Sequence, residues 1–260
     1  MEIIVLLKQV PSTESMIEIA DDGKSIKPEG IKWVINPYDE FAVEEALRIR
    51  DAQGGSVTIL SAGPEKATEA IRTALAMGAD KGVLVSDPAL ENCDGLGFAA
   101  VLSKALKDIP YDLVIAGQRA VDDDNFLVGA AVSQKLGIPL VSLVIKEEVA
   151  DNRITCHQTV DGGTVVVESA LPVLFTTQRG LNEPRYASLP GIMKAKKKPI
   201  DTKTLADLGV DPSEVSEPKV KIVALNPPPE RTGGRIIEGE TAGEKAAALI
   251  KALHEEAKVI

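Results

Sequence analysis

Aromatic residues, cysteines and histidines are scarce in this chain. Only 3% of its 260 residues are aromatic, whereas 44% are hydrophobic, so the core must be mainly aliphatic. An aliphatic core is typical of parallel sheets covered by helices. Cys93 and Cys156 lie far apart, as do His157 and His254, and neither pair has the spacing of a disulfide scaffold or a zinc site. We therefore predict no metal site and no catalytic histidine.

Long apolar runs and an excess of basic residues are also missing. No stretch approaches the roughly 20 apolar residues that a membrane span requires, and the short apolar run near Met1 follows no basic segment. A formal net charge of −10 argues against general binding to nucleic acid or anionic lipid. We expect a cytoplasmic protein of bacterial or archaeal type, without a targeting segment, that is not itself a membrane protein.

Aliphatic runs alternate with helical patterns through the first 140 residues. Strand-like runs at EIIVLL, SVTILSAG, GVLVS and YDLVIAG are separated by helix-like segments, the last of which begins at Phe126. This order requires βαβ crossovers and indicates an α/β fold with a Rossmann-like parallel sheet flanked by helices. Beyond Leu140, VSLVIKEEV, RITCHQTV and TVVVES predict added antiparallel strands, and Asp22-Gly23 predicts an earlier hairpin turn.

The chain changes character near residue 200. Residues 1–200 are predicted to form a nucleotide-binding-like α/β domain, and residues 201–260 an extended C-terminal arm that ends in the helix AGEKAAALIKALHEEAKVI. Residues 201 to about 235 are polar and rich in proline, so we expect no core of their own. Two alternatives stay open for the arm: it embraces another polypeptide, or its helix packs on the same domain.

Ligands of open α/β sheets bind beyond the carboxyl ends of the strands. The loops KQVPSTE, SAGPEK and AGQRAVDDDN should meet there, yet none is a phosphate-binding P-loop or a G-x-G-x-x-G turn. No pairing of nucleophile and base is visible either. The sequence therefore predicts a nucleotide-shaped cleft without a catalyst, in a protein that is not an enzyme.

Two polar groups precede predicted helices. Asn36, before Pro37, is predicted to cap the first helix with its side chain. Asp122, Asp123 and Asp124 suit either Mg²⁺ or ribose binding, or capping of the helix at Phe126. Because no phosphate-binding lysine lies nearby in the sequence, we predict capping.

Several stretches carry a family resemblance, namely NPYDEFAVEEALRI, SAGPEKATEAIRTALAMGAD, AGQRAVDDDN, VDGG followed by LP, and LNEPRYASLPGIMKAKKKPI. Along nearly its whole length the chain resembles the beta subunit of electron transfer flavoproteins. The resemblance implies a heterodimer with an alpha subunit that holds most of the FAD and is wrapped by the C-terminal arm. It further implies electron transfer from dehydrogenases, commonly of acyl-CoA type, to a membrane quinone oxidoreductase.

The resemblance also assigns a role to residues 181–199. In the family this segment is a recognition loop, whose leucine, here Leu189, inserts into the partner dehydrogenase. Pro184 and Pro190 would stiffen the loop, and the lysine run 194–198 would steer the partner. An alternative is that Leu189 serves only the alpha-subunit interface. The implied partner-binding residues are Arg185, Tyr186, Leu189, Pro190, Ile192, Met193, Lys194 and Lys197.

The family's nucleotide pocket maps onto Leu6, Asn36, Ala62, Gly117, Gln118, Val121, Asp122, Asp124, Phe126, Leu127 and Val128. Members that bind AMP place Asn-Gln-Thr at the last three positions, so the side-chain donors for a phosphate are replaced here by apolar groups. Electron-bifurcating members, which hold a second FAD and use NADH, typically have Asp-Gly-Asp-Thr-x-Gln-Val-Gly, and Asp123 departs from that pattern.

AMP, a second FAD and an empty pocket stay open as alternatives for this site. Tyr38 is the aromatic residue expected near the FAD shared with the alpha subunit. A stand-alone nucleotide-binding regulator of the stress-protein type is the remaining alternative for the whole chain.

Overall fold

The computed structural model describes residues 1–229 and 233–260. Its strands are β1 (Glu2–Leu6), β2 (Gln9–Pro11), β3 (Trp33–Ile35), β4 (Ser56–Ala62), β5 (Lys81–Val85), β6 (Leu113–Gly117), β7 (Leu140–Ala150), β8 (Arg153–Val160), β9 (Gly163–Ala170), β10 (Val173–Thr177) and β11 (Ile200–Lys203). Its α-helices are α1 (Pro37–Gln53), α2 (Thr68–Met77), α3 (Gly95–Lys107), α4 (Val128–Leu136), α5 (Leu189–Ala195), α6 (Ser213–Ser216) and α7 (Ala242–Lys251). Short 3-10 turns lie at Glu65–Ala67, Pro88–Asn92 and Ala206–Leu208, and a π turn, Ala252–Glu256, follows α7.

The large sheet has the strand order β11-β5-β4-β1-β6-β10-β7-β8-β9. Its pairs from β11 to β7 are parallel, whereas β7, β8 and β9 pair antiparallel, which confirms the predicted α/β class with added antiparallel strands. The strand order reverses around β1, which has β4 on one side and β6 on the other. Ligands of such sheets bind at this switch point.

Side chains of β1 alternate between two buried layers, as the period of a strand requires. Ile3 and Val5 pack in the layer that contains α1 and α2, whereas Ile4 and Leu6 pack in the layer that contains α3 and α4. Both layers are almost wholly aliphatic, as the composition predicts, and Phe175 of β10 is the largest fully buried side chain in the described chain. The helices on both faces hold the switch point rigidly.

One local prediction is wrong, and a second is confirmed only for its turn. The helix expected from Phe126 begins at Val128, because Asp124 and Phe126 have φ values of 48° and 53°, which a helix does not accommodate. The turn expected at Asp22-Gly23 is present, since the Ala20 N–H donates to the Ser25 carbonyl at 2.9 Å, but its strands reduce to one bridge between Ile19 and Ile26. Its flanks are largely exposed, so they bury too little apolar surface to form stable strands.

The chain after residue 200 divides into a packed part and an exposed part. β11 pairs with β5, and Leu205, Val210 and Val215 are buried in the layer that contains α3. Among the described residues of α7 none is buried, and its start is fixed by a capping box between Thr241 and Glu244. Of the two alternatives for the terminal helix, this arrangement favours an arm that does not pack on its own domain. No helix within residues 1–229 and 233–260 has both the length and the apolarity to cross a membrane.

Candidate functional site

Asp39, in the first turn of α1, joins the two strand ends at the switch point. Its Oδ2 accepts the Lys8 backbone N–H at 2.7 Å, and its Oδ1 accepts the Gly117 backbone N–H at 3.0 Å. Burial raises the pKa of Asp39 to about 7, although these N–H groups and Asn36 favour the ionised carboxylate. Asp39 therefore holds the ends of β1 and β6 at a fixed position relative to α1.

Asn36 holds the loop that follows β6. Its Nδ2 donates to the Arg119 carbonyl at 2.8 Å, and its Oδ1 accepts the Val121 N–H at 3.2 Å. The prediction that the Asn36 side chain caps α1 is therefore wrong, because this loop takes up the donor and the acceptor of the amide. Asn36 belongs to the site as a support for residues 119–121.

The aspartate triplet is held by cations from two loops. Lys8 Nζ lies 2.8 Å from Asp122 Oδ1 and 3.1 Å from Asp123 Oδ2, and Arg119 Nη1 lies 3.0 Å from Asp124 Oδ2. The predicted capping of α4 by the triplet is wrong, since the cap position is Leu127, which has no polar side-chain atom. The prediction missed Lys8 because that lysine is 114 residues away in sequence.

Arg119 forms a stack with two aromatic rings. Its guanidinium carbon lies 5.0 Å from the ring centre of Tyr38 and 5.3 Å from that of Phe126, and its Nη2 donates to the Tyr38 hydroxyl at 2.8 Å. Phe126, at one side of this stack, is about half exposed to solvent. We call these three residues the Arg119 stack. Tyr38 was expected near a flavin, and Arg119 lies in the stretch AGQRAVDDDN, but the sequence did not predict the contact between Arg119 and the two rings.

The structure brings the residues of the predicted nucleotide pocket to one edge of the sheet. Leu6, Ala62 and Gly117 end the adjacent parallel strands β1, β4 and β6. The remaining pocket residues lie in the loop that follows β6 or at the positions that support it. They are Asn36, Gln118, Val121, Asp122, Asp124, Phe126, Leu127 and Val128.

Several buried polar atoms at this edge have no hydrogen-bond partner within the described chain. They are Gln9 Nε2, Trp33 Nε1, Ser61 Oγ, Gln118 Oε1 and Arg119 Nε. A buried polar atom left unpaired costs roughly 1–3 kcal/mol, so these donors and acceptors suit a ligand with polar groups of its own. A phosphate fits less well, because Phe126, Leu127 and Val128 leave only backbone amides at the start of α4, beside three carboxylates.

The second part of the site is the recognition segment, residues 181–199. Arg185 of this segment binds Glu44 of α1 through three contacts: Nε to Oε2 at 2.7 Å, Nη2 to Oε1 at 3.1 Å, and the backbone N to Oε2 at 3.1 Å. The Glu44 side chain is only 4% exposed. Burial alone would raise the pKa of Glu44, but Arg185 and Arg48 outweigh it and lower the pKa. Arg185 thus faces its own domain and anchors the segment.

Asn182 forms a second anchor beside the first. Its Nδ2 donates to the Phe41 carbonyl at 2.9 Å and to Glu45 Oε2 at 2.6 Å. Glu147 of β7 lies against the same Glu45 carboxylate. Burial, followed by the hydrogen bond and charge of Glu45, raises the pKa of Glu147 to about 8. The Glu147 carboxyl therefore keeps its proton near neutral pH beneath the base of the recognition segment.

The tip of the recognition segment is exposed and apolar. Tyr186 is 97% exposed, Leu189 79% and Met193 72%. Pro190, Ile192, Lys194 and Lys197 are also exposed. Lys198 differs, because its Nζ donates to the carbonyls of Leu75, Gly78 and Ala79, so the prediction of a wholly steering lysine run does not hold for Lys198.

An open α/β sheet with polar side chains at its switch point is common among nucleotide- and flavin-binding proteins. Residues 24–208 match the family model described as "Electron transfer flavoprotein domain". The chain is 41% identical to the electron transfer flavoprotein subunit beta of Bacillus subtilis strain 168, over 100% of both chains. It is 40% identical to the subunit of the same name from Thermoanaerobacterium thermosaccharolyticum, over 92% of this chain and 93% of the relative.

A third relative, the electron transfer flavoprotein subunit beta of Syntrophomonas wolfei, is 41% identical over 92% of this chain and 91% of its own length. The chain therefore belongs to the electron transfer flavoprotein family, as a beta subunit. Membership of this family implies a role in electron transfer.

Proposed function

We propose that this chain is the beta half of a heterodimeric carrier with one FAD, held mostly by an alpha subunit. The carrier accepts electrons from dehydrogenases of acyl-CoA type and delivers them to a membrane quinone oxidoreductase. The observation that supports this function best is the exposed Leu189–Met193 surface on the doubly anchored recognition segment. An apolar tip on a rigid base is suited to repeated protein docking.

The docking energetics suit a carrier. Burying Leu189 in a partner pocket contributes roughly 1.5–3 kcal/mol, which supports a transient complex. The anchors at Asn182 and Arg185 lower the entropic cost of ordering the segment on binding. Lys194 and Lys197 are exposed beside Leu189, where they raise the association rate with an acidic partner surface more than they raise affinity.

The Arg119 stack is our candidate for contact with the flavin. When bound, FAD supplies the electron-accepting chemistry, and this chain supplies a flat cationic and aromatic surface beside it. The Arg119 guanidinium would favour negative charge on a neighbouring ring, and Tyr38 holds the guanidinium in place.

We propose that the C-terminal arm, predicted as residues 201–260, wraps the alpha subunit with its part beyond Val215, and that residues 1–200 form the α/β domain. The first part of the arm packs on that domain through β11 and the buried Val215, whereas Leu249 and Ile250 of α7 are exposed apolar side chains. Their burial against the alpha subunit would give α7 the apolar contacts that it does not find in the described part of its own chain.

Nucleotide extraction tests this function. The chain is co-expressed with its alpha subunit, and nucleotides released from the purified heterodimer are measured by mass spectrometry. We expect one FAD per heterodimer and less than stoichiometric AMP. Two FAD per heterodimer would indicate the bifurcating type, and stoichiometric AMP would overturn our interpretation of Phe126–Val128. A flavin-free homo-oligomer would contradict the proposed heterodimeric carrier.

A further inference from the structure

Helix α5 of the recognition segment is bound to α2 by two cations. One extends from α2 toward α5, and the other extends from the recognition segment toward α2. Arg72 of α2 donates through Nη1 to the carbonyls of Ala195 and Lys198, both at 2.6 Å. Lys198 donates through Nζ to the carbonyls of Leu75, Gly78 and Ala79 at 3.1, 3.4 and 2.5 Å. Each helix end therefore receives a cation from the other segment.

This exchange is favourable for a general reason. The last carbonyls of a helix lack partners within the helix and carry a partial negative charge, so a cation at that end is stabilising. α2 ends at Met77 and α5 ends at Ala195, so both cations lie where those carbonyls point. The two helices also approach closely, since a Cβ added to Gly191 would lie 2.5 Å from the Ala76 carbonyl oxygen.

Lys198 is chemically different from the lysines beside it. Lys194, Lys196 and Lys197 are exposed, whereas Lys198 is half-buried and donates to three carbonyls. Burial lowers the pKa of Lys198, although the charge of Asp80 acts in the opposite direction. Its charge is therefore directed at the carboxyl end of α2, where it holds α5 in place.

We propose that Arg72 and Lys198 are positioning residues for partner docking, which hold α5 so that Leu189 and Met193 face away from α2. Lys198 aligns the recognition surface, and the exposed lysines steer the partner. This inference rests on the proposed function, because the surface that α5 presents is the proposed docking surface.

The test compares Lys198→Met with the matched control Lys197→Met in the purified heterodimer. Each variant is reduced by an acyl-CoA dehydrogenase and its acyl-CoA substrate over a range of salt concentrations. Lys198→Met should raise the KM for the heterodimer about tenfold at every salt concentration, with kcat, flavin spectrum and flavin content unchanged. Lys197→Met should raise KM at low salt only and flatten the salt dependence.

Hydrogen exchange gives a second readout that needs no dehydrogenase. The amides of residues 191–195 should exchange faster in Lys198→Met than in Lys197→Met. Arg72→Leu should reproduce both effects, and the conservative Arg72→Lys should restore most of the KM, because an ammonium group can still donate to the two carbonyls. A salt dependence of Lys198→Met like that of Lys197→Met, or unchanged exchange in α5, would overturn the proposal.

Gly191→Ala provides a steric variant with every charge retained, for use if Lys198→Met loses flavin or fails to fold. It should raise KM by the same factor at every salt concentration, and a wild-type KM would overturn the proposal. Leu189→Ala is the reference variant that tests the docking function itself. If it leaves dehydrogenase reduction unchanged, the proposed docking function fails, whereas hydrogen exchange still decides whether Arg72 and Lys198 position α5.

Discussion

Arg185 and Glu44 form a two-pronged ion pair between the recognition segment and α1, with Nε–Oε2 and Nη2–Oε1 distances of 2.7 and 3.1 Å. The residues are 141 positions apart and belong to two of the stretches that carry the family resemblance, AVEEAL and LNEPRY. Asn182 joins the same two stretches through Glu45. The two stretches are therefore complementary halves of one anchor for the recognition segment.

Removing Arg185 should loosen this anchor. Arg185→Met leaves the nearly buried Glu44 paired with Arg48 alone, and we expect a loss of about 1–3 kcal/mol in the free energy of unfolding. Urea denaturation of the heterodimer measures the loss. The exposed Lys196→Met is the control and should stay within about 0.5 kcal/mol of wild type. Equal stability of the two variants would show that the ion pair is not an anchor.

A methyl group on Gly117 should disturb the switch point. A Cβ there would clash with Asp39 Oδ1 and Tyr38 Cβ, so Gly117→Ala should destabilise the fold by about 1–3 kcal/mol and displace the Arg119 stack. Thermal unfolding and flavin fluorescence measure the two effects. Gly163→Ala is the matched control, because an added Cβ meets no described atom within 4 Å there. A Gly117→Ala heterodimer with wild-type fluorescence would contradict the proposed closeness of the stack to the flavin.

Side-chain donors at the start of α4 should create AMP binding. The triple variant Phe126→Asn, Leu127→Gln, Val128→Thr supplies the donors that the AMP-binding members of the family have. We expect its AMP affinity, measured by calorimetry on the heterodimer, to exceed that of wild type by about tenfold or more, equivalent to about 1.4 kcal/mol. Tight AMP binding by the wild-type heterodimer would show that backbone amides suffice.

The raised pKa of Glu147 should make stability depend on pH. The pKa of Glu147 is raised in the folded chain from 4.5 to about 8, so between these values the folded chain holds a proton that the unfolded chain has lost. The stabilisation is complete below pH 4.5 and is lost as the pH rises through about 8. Glu147→Gln should flatten this decline in urea denaturation at a series of pH values. The exposed Glu29 provides the control, Glu29→Gln, which should keep the wild-type slope. A Glu147→Gln slope equal to wild type would contradict the raised pKa of Glu147.

The parallel part of the fold could be predicted because its signals are local. Buried strands such as β4 are continuous aliphatic runs, and helices such as α2 end at a glycine, Gly78. Aliphatic composition and helix-ending glycines are therefore enough to indicate a parallel sheet. The short extent of the strands beside the Asp22-Gly23 turn could not be predicted in this way. A turn signal reports backbone preference, whereas a stable strand also needs apolar surface to bury.

The candidate site was less predictable because its contacts join distant parts of the chain. Asn36, the Asp122–Asp124 triplet and Lys198 each have a sequence context that indicates a simpler role, namely a cap or an exposed charge. The partners that change those roles are Val121, Lys8 and Ala79, which only the fold brings near. A side chain with a choice of partners follows the tertiary structure, which the local sequence does not reveal.

The most direct measurement of the proposed docking function is stopped-flow reduction of the heterodimer by an acyl-CoA dehydrogenase, with wild type compared with Leu189→Ala. Loss of the roughly 1.5–3 kcal/mol from one buried leucine predicts an affinity about 10- to 100-fold weaker, with heterodimer assembly and flavin content unchanged. Reduction of Leu189→Ala at the wild-type rate and affinity, together with weakened heterodimer assembly, would contradict the proposal and assign Leu189 to the alpha-subunit interface.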